Sequence, residues 1–287
     1  MKVIRTIEEL RSELRERTRS GHEPVGLVPT MGYLHEGHAS LMRKAREMTQ
    51  TVVLSIFVNP IQFGPGEDYE TYPRDEARDL ELARAEGVDI VFIPTVEVMY
   101  PQPIKTKVSV ADITSLLCGA SRPGHFDGVT TVVSKLFHIV KPDYAFFGMK
   151  DAQQVAVIEQ MVRDLSMDIT IVPCPIVREA DGLALSSRNV YLKPEERRQA
   201  LVLSRSLQKA REAIASGQAE TAGQIRQLLR DTISEAPLAD IDYVEAAVFP
   251  ELDPLQDEDK ISDAEGRVLL ALAVRFGRTR LIDNTLI

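Results

Sequence analysis

The chain has 287 residues, which is enough for one large domain or two modest ones with a real hydrophobic core. Hydrophobic residues make up 44% and charged residues 27%, which is typical of a globular protein and argues against disorder along the whole chain. The formal net charge of −9 argues against a broad nucleic-acid footprint, because such a surface needs an excess of basic residues. A small anionic ligand stays compatible with this charge, since a few cations and helix N-termini are enough to bind one.

Cysteine usage and hydropathy indicate a cytoplasmic protein. Cys118 and Cys174 form no CxxC pair, so neither a zinc finger nor a disulfide framework is indicated, and isolated thiols suit a reducing compartment. The N-terminal residues hold no apolar stretch typical of a signal peptide, and no run of 18 apolar residues predicts a transmembrane helix. We therefore expect neither a membrane nor a nucleic acid as partner.

The hydrophobic pattern predicts alternating helices and strands in the first part of the chain. Thr6 and Glu9 fit a capping box before a charged helix that extends to about Arg19. The elements predicted after it are, in chain order, a strand at 25–28, a helix at 38–48, a strand at 51–58, a helix at 75–86, a strand at 88–93, a helix at 129–140, a strand at 143–147, a helix at 151–165 and a strand at 169–172. This alternation predicts an α/β fold with a doubly wound parallel sheet covered on both faces.

The pattern changes after about Pro175. Helices are predicted at 194–216 and 220–234, joined around Gly217, and strands of a small sheet at 241–248 and 268–274. We therefore predict two domains, at 1–176 and 177–287, the second being smaller and of α+β type.

The segment from Pro29 to His38 follows the predicted 25–28 strand, and ligands in open parallel sheets bind beyond the carboxyl ends of strands. Gly32 and Gly37 allow the backbone to come close to a ligand. His35 and His38 share one face of a helical start, where the helix N-terminus favours a phosphate and imidazoles can donate hydrogen bonds to it. The alternative is that one histidine caps the helix and the other packs in a loop. A zinc site is disfavoured, because HExxH is absent and no third ligand is evident nearby.

Two further segments carry amides and charges suited to a small polar ligand. Asn59 and Gln62 can hold a hydroxyl or carboxylate, although their segment alone is more often just a turn. Tyr72 belongs to a Tyr-Pro-Arg sequence that suits either a lid or an exposed loop. Arg122 and His125 lie in a glycine-containing segment, 121–128, that suits a binding loop or a long connection with Asp127 as an N-cap.

Two later segments are candidates for phosphate binding. In the first, Gly148 permits close approach and Lys150 offers a positive charge, while Asp151 is placed to cap the next helix. In the second, the hydroxyls of Ser186 and Ser187 precede Arg188, which suits a mobile anion clamp or a plain surface loop. Neither GxxxxGK[ST], GxGxxG nor GxSxG occurs, which disfavours P-loop NTPases, typical dinucleotide enzymes and α/β-hydrolases.

Taken together, these segments resemble one family. The His-x-Gly-His turn is similar to that of the nucleotidyltransferase superfamily that includes class I aminoacyl-tRNA synthetases. Four segments carry a closer resemblance, to the pantothenate synthetase family: Pro29–His38, Val58–Phe63, Phe147–Asp151 and Leu185–Asn189. This resemblance covers essentially the whole chain in the family's order and spacing, apart from Met149, which stands where many members have a polar residue.

The resemblance implies a two-step reaction with ATP and Mg²⁺. The carboxylate of pantoate would attack the α-phosphate of ATP, giving pantoyl adenylate and pyrophosphate. The amine of β-alanine would then displace AMP and form pantothenate. The resemblance also implies a Rossmann-like N-terminal domain, a C-terminal lid domain and usually a homodimer, whereas the Mg²⁺ ligands stay undetermined.

The resemblance further assigns roles to individual residues. The catalytic set is His38, His35 and Lys150. The residues implied to bind ATP are Met31, Gly32, His35, Gly37, His38, Gly148, Lys150, Asp151, Val177, Leu185, Ser186, Ser187 and Arg188. The residues implied to bind pantoate or line its pocket are Gln62, Gln154, Asn59, Tyr72, Arg122 and His125.

Two other functions stay open from the sequence alone. Another nucleotidyltransferase of the same superfamily would transfer the nucleotide permanently and would not release AMP, but Gln62 and Gln154 favour a small hydroxy acid. A non-catalytic nucleotide sensor would bind ATP without releasing pyrophosphate.

Overall fold

The computed structural model describes residues 1–17, 21 and 23–287. The chain divides into two compact units. The first unit comprises residues 1–111, 122–149 and 157–175, and the second comprises residues 112–121, 150–156 and 176–287. The predicted division at 176/177 stays a prediction.

Helices and strands follow one another over the first 175 residues, with three consecutive helices between the fourth and fifth strands. In chain order they are β1 (Lys2–Ile4), α1 (Ile7–Arg17), β2 (Val25–Thr30), α2 (Glu36–Met48), β3 (Thr51–Ile56), α3 (Glu76–Ala85), β4 (Ile90–Phe92), α4 (Val96–Met99), α5 (Leu117–Ser121), α6 (His125–Val140), β5 (Tyr144–Gly148), α7 (Ala152–Asp164) and β6 (Thr170–Cys174). The elements that follow are α8 (Pro194–Ala200), α9 (Val202–Ala215), α10 (Ala222–Ser234), β7 (Ala239–Phe249), β8 (Asp253–Pro254), β9 (Arg267–Phe276) and β10 (Thr279–Leu286).

In the described part of the first unit, six strands form a parallel sheet in the order β1-β4-β3-β2-β5-β6. The strand order reverses between β2 and β5, which pair through Gly26 with Tyr144 and Leu27 with Ala145. The carboxyl ends of β2, β3 and β5 therefore meet at the edge where such sheets bind ligands. This arrangement confirms the predicted α/β doubly wound fold.

The core of the first unit explains why its central strands are mostly apolar. All six residues of β3 are buried, and Leu54 has no exposed surface. Helix α2 packs Met42 and Ala45 into the same core, on Val28 and Leu54. Strands buried on both faces carry mostly apolar side chains on either face, which removes the alternation of a half-exposed strand. Thr51 and Ser55 are the buried polar residues of β3.

The second unit contains a smaller antiparallel sheet in the order β10-β9-β7-β8. Helices α9 and α10 contribute Leu207 and Leu229 to its core, where Val244, Leu270 and Leu272 are also fully or almost fully buried. Thr221 caps α10 and accepts a hydrogen bond from the Gln224 N–H. These elements confirm the predicted α+β architecture of the C-terminal part.

One predicted helix differs from the structure, and part of another lies outside the described residues. The helix predicted at 194–216 is wrong as one element, because the Leu201 N–H bonds to the Gln199 carbonyl and separates α8 from α9. Helix α1 ends at Arg17 in the described range, and the predicted extension to Arg19 lies outside the described residues. The short β1 and the polar β10 were not predicted. None of the helices in the described ranges is long and apolar enough to span a bilayer.

Candidate active site

The turn between β2 and α2 adopts a left-handed backbone. Gly32 has a φ of 84° and Tyr33 a φ of 49°. A Cβ at Gly32 would lie 2.9 Å from Cγ2 of Ile56, so glycine serves here both the backbone angle and the close packing. Thr30 closes the start of the turn, since its Oγ1 accepts from the Gly32 N–H at 3.2 Å and donates to the Ser55 carbonyl at 2.7 Å.

A buried carboxylate from α3 holds this turn in place. Asp79 is 1% exposed, and its Oδ2 and Oδ1 accept hydrogen bonds from the N–H groups of Tyr33 at 2.8 Å and Leu34 at 2.6 Å. Burial raises the pKa of Asp79, the two N–H groups lower it in part, and the net position is above the ordinary value. Asp79 was not identified as a functional residue from the sequence. The local feature that indicates its burial is its position one helical turn before the buried Ala83.

The two histidines begin α2 as a reciprocal cap. Nδ1 of His35 accepts from the Gly37 N–H at 3.1 Å, and Nδ1 of His38 accepts from the His35 N–H at 3.2 Å. Their ring centroids lie 4.0 Å apart. Because each Nδ1 accepts, the proton of each neutral ring resides on Nε2, which makes both Nε2 atoms hydrogen-bond donors. A histidine that caps the helix with Nδ1 is therefore also oriented to donate a hydrogen bond from Nε2. Helix capping and phosphate binding are thus compatible interpretations of this motif.

Asn59 and Gln62 form a buried pair after β3. Asn59 precedes the 3₁₀ turn Pro60–Gln62, and Gln62 is the last residue of that turn. Nδ2 of Asn59 donates to Oε1 of Gln62 and to the Gly128 carbonyl, both at 3.1 Å. Nε2 of Gln62 donates to Sδ of Met31 at 3.2 Å. The structure thus joins Gln62 to the β2–α2 turn.

Gly128 lets helix α6 touch this turn backbone to backbone. A Cβ at position 128 would lie 2.4 Å from the Ile61 carbonyl oxygen and 2.5 Å from Cα of Gln62. Real Cβ atoms do not approach backbone atoms so closely, so any side chain would displace the turn or the helix.

Arg122 and His125 connect to the same turn from the start of α6. The Arg122 guanidinium donates from Nε and Nη2 to the two carboxylate oxygens of Glu67, at 2.7 and 2.6 Å. Its Nη1 lies 3.0 Å from Nε2 of His125, whose Nδ1 lies 2.8 Å from the Gln62 carbonyl oxygen. A guanidinium can only donate, so Nε2 of His125 accepts from Arg122. Nδ1 of His125 therefore carries the ring proton and donates a hydrogen bond to the Gln62 carbonyl.

Glu67 was not identified from the sequence. Its desolvation raises the pKa of its carboxyl, but the hydrogen bonds and positive charge of Arg122 outweigh this and hold the pKa below the ordinary value. The alternative of an N-cap at Asp127 is wrong, because α6 begins at His125 after Gly124, whose left-handed backbone turns the chain into the helix.

The Tyr-Pro-Arg segment packs on aromatic neighbours. Tyr72 is 6% exposed, and its ring centroid lies 6.2 Å from that of Phe63. The Arg74 guanidinium donates to the carbonyls of Tyr69 and Tyr72.

Gly148 ends β5, and no atom lies within 4 Å of the place where its Cβ would stand.

The remaining predicted residues belong to the second unit. Nζ of Lys150 lies 3.6 Å from Oδ2 of Asp151, and Asn284 donates to the Lys150 carbonyl at 2.9 Å. Gln154 is partly buried. Its neighbour Gln153, which carries no predicted role, is buried and bonds the backbone of residues 113, 116 and 118.

The segment 177–191 of the second unit is a short antiparallel turn followed by a 3₁₀ helix. The Leu185 N–H donates to the Val177 carbonyl at 3.0 Å, which brings these two predicted residues together. Ser186 caps the 3₁₀ helix Ser187–Tyr191, with its Oγ accepting from the Arg188 N–H. The described ranges contain no group of three or more His, Cys, Asp or Glu side chains that could hold a metal ion.

Comparisons with known proteins agree on one family. The family model of pantoate-beta-alanine ligase matches residues 2–286. Pantothenate synthetases of Pelotomaculum thermopropionicum and Acetivibrio thermocellus are 60% and 56% identical, and each match covers 100% of this chain and 99% of the relative. The crystal structure of pantothenate synthetase from Thermus thermophilus has a TM-score of 0.91 at 46% identity, with 99% of both chains covered. Pantoate-beta-alanine ligase from Francisella tularensis, complexed with beta-gamma ATP and beta-alanine, has a TM-score of 0.78 at 32% identity, covering 100% of this chain and 97% of that one.

We predict that Asp79→Asn loosens the β2–α2 turn. Asparagine offers one oxygen where the carboxylate offers two, so either Tyr33 or Leu34 loses its buried acceptor. Hydrogen exchange measured by NMR should show that amide exchanging faster by about tenfold or more, since an unpaired buried donor costs about 1–3 kcal/mol. The exposed Asp168→Asn is the control, and unchanged exchange at both amides would refute the anchoring role.

We predict a pH-dependent stability contribution from Glu67. Its folded-state pKa lies below the ordinary 4.5, so the contribution is fully present above pH 4.5 and is lost as the pH falls through the folded-state value. Urea unfolding should therefore show the wild type more stable than Glu67→Gln at neutral pH, with the difference shrinking below pH 4.5. The exposed Glu70→Gln is the matched control. A stability difference between the wild type and Glu67→Gln that stays constant as the pH falls well below 4.5 would contradict the contribution assigned to the Glu67 carboxylate.

Proposed function

The chain belongs to the pantoate–β-alanine ligase family and is a ligase of that class, and we propose that it joins its substrates through a pantoyl-adenylate intermediate. ATP is the proposed energy source, and AMP and pyrophosphate are the proposed products. The bound ligands of the Francisella tularensis relative support ATP and β-alanine as substrates.

The observation that carries this proposal is the orientation of His35 and His38. Both present Nε2–H donors at the N-terminus of α2, where the helix dipole also favours negative charge. Such donors stabilise charge that develops on phosphate oxygens in the transition state, at no cost of reorganisation. A site for acyl-adenylate formation needs little covalent chemistry from the protein beyond this stabilisation and the positioning of the reactants.

In the first proposed step, a carboxylate oxygen of pantoate attacks the α-phosphorus of ATP and the bond to pyrophosphate breaks. In the second, the β-alanine nitrogen attacks the carbonyl carbon of the adenylate, a C–N bond forms, the C–O bond to AMP breaks and the amine loses a proton. The partial positive charge of an adenylate carbonyl makes it open to attack by water as well, so exclusion of water is part of the proposed role of the protein.

The proposed residue roles follow the two units. In the first unit, Gln62, supported by Asn59, binds pantoate, with Tyr72, Arg122 and His125 shaping that region. Met31, Gly32, Gly37 and Gly148 of this unit contact the nucleotide with the two histidines. In the second unit, Gln154 is proposed for pantoate, and the proposed nucleotide residues are Lys150, Asp151, Val177, Leu185, Ser186, Ser187 and Arg188.

Mg²⁺ is proposed to bind mainly through the nucleotide phosphates and water. This fits a chain whose described part lacks a cluster of carboxylates and imidazoles for a metal, because catalytic Mg²⁺ commonly keeps several waters and uses substrate phosphates as ligands. We assign no step to the ion. A homodimer is proposed on the family resemblance alone, and light scattering would test it. A cytoplasmic location is proposed because two isolated cysteines suit a reducing compartment.

The reaction is tested by the dependence of each product on each substrate. With ATP and Mg²⁺ present, pyrophosphate should appear only when pantoate is added, and AMP only when β-alanine is added as well. If pyrophosphate is absent under every condition from a folded protein that binds ATP, the adenylate proposal fails.

The role of His38 is tested by His38→Ala. We expect kcat to fall on the order of 10²–10³-fold, the scale for loss of one hydrogen-bond donor to a developing negative charge. The exposed His138→Ala is the matched control and should turn over normally. Near-normal turnover by a folded His38→Ala protein would remove His38 from the catalytic set.

A further inference from the structure

A chain of hydrogen bonds in the first unit leads from Tyr100 to Gln62. Tyr100 follows α4 directly, and its hydroxyl lies 2.8 Å from Oδ1 of Asn59. Nδ2 of Asn59 lies 3.1 Å from the Gly128 carbonyl and 3.1 Å from Oε1 of Gln62. Asn59 is 1% exposed, so solvent water does not replace any of these partners.

The direction of every bond in this chain follows by elimination. The Gly128 carbonyl can only accept, so the Asn59 atom that faces it is the amide nitrogen. The Asn59 oxygen then faces Tyr100, whose hydroxyl must donate. Burial raises the pKa of Tyr100 well above its ordinary value, so the hydroxyl keeps its proton throughout the physiological range.

Gln62 is consequently left with one orientation of its amide. Its Oε1 is occupied by the second amide proton of Asn59, and its Nε2 points towards Sδ of Met31 at 3.2 Å. A thioether is a weak acceptor, and a carboxylate or hydroxyl oxygen of a ligand would be a much stronger partner for the same N–H group. A reversed amide would present an oxygen instead and would repel a carboxylate.

We propose that Tyr100 is a positioning residue that sets the donor polarity of Gln62 and thereby selects an acceptor oxygen on the acid substrate. The proposal rests on the proposed role of Gln62 in binding pantoate. Tyr100 acts through Asn59 and not by touching the substrate. Lys135 holds the Tyr100 ring in place, since its ammonium lies 5.1 Å from the ring centroid and donates to the Met99 carbonyl.

The first test compares Tyr100→Phe with Tyr144→Phe, which removes a hydroxyl from the start of β5 in the same unit. Tyr100→Phe leaves Oδ1 of Asn59 buried without its donor, which loosens the amide that orients Gln62. We expect the KM for pantoate to rise about tenfold, the scale of one unpaired buried acceptor, while the KM for ATP stays unchanged. Equal changes in both KM values, or no change in either, would overturn the proposal.

A double-mutant cycle separates positioning from a general structural effect. If Tyr100 acts through Gln62, Tyr100→Phe should add nothing to the pantoate KM in a Gln62→Ala background. The same increase in both backgrounds would overturn the proposal. If Gln62→Ala raises the pantoate KM but Tyr100→Phe leaves it unchanged in the otherwise wild-type protein, this inference alone is overturned. If Gln62→Ala leaves the pantoate KM unchanged, the proposed role of Gln62 is overturned as well.

A measurement on the unmodified protein does not depend on how Tyr100→Phe folds. The side-chain amide signals of Asn59 and Gln62 can be assigned from their alanine variants and followed by NMR as pantoate is added. The NH₂ signal of Gln62 should shift, because it gains an oxygen acceptor, while that of Asn59 stays in place. A shift of the Asn59 NH₂ signal with none at Gln62 would overturn the proposed polarity.

Discussion

The buried carboxylate of Asp79 is the contact on which the site of the first unit depends. The N–H groups of Tyr33 and Leu34 lie in a left-handed turn that neither a helix nor a sheet can pair, so they need an acceptor from elsewhere in the chain. A carboxylate offers two acceptor oxygens for these two N–H groups, and its burial raises the pKa of Asp79 above the ordinary value. The fixed turn then sets the position of His35, the N-cap of α2, and the position of this cap sets the direction of both imidazoles.

Two groups near Gln62, one that can only donate hydrogen bonds and one that can only accept them, set the direction of the hydrogen bonds around this residue. The Arg122 guanidinium only donates, which sets the tautomer of His125 and the bond to the Gln62 carbonyl. The Gly128 carbonyl only accepts, which sets the Asn59 amide and through it the Gln62 side chain. Backbone and side chain of Gln62 are thus held independently, so little conformational freedom is left to lose when a ligand binds.

The parts of the molecule that sequence reasoning found are those with a local signature. Buried strands such as β3 are mostly apolar and rich in β-branched residues, and His35, His38 and Gln62 stand in short motifs after strands. Asp79, Glu67 and Tyr100 escaped it because their partners lie 41 to 55 residues away along the chain and no local pattern marks them. Strand β10 was missed because its buried Asp283 breaks the apolar alternation. The ion pair with Arg178, 105 residues distant, and the Asn284 N–H make that burial tolerable.

The contact between Gly128 and the Pro60–Gln62 turn also limits how this chain can change. Two backbones that touch without an intervening side chain form a joint that neither segment can alter alone. Any larger residue at position 128 requires the turn to have moved first, and a moved turn carries the Gln62 amide with it. Substitutions at these two places are therefore epistatic, and a chimaera that exchanges the turn between distant homologues has to exchange the start of α6 along with it.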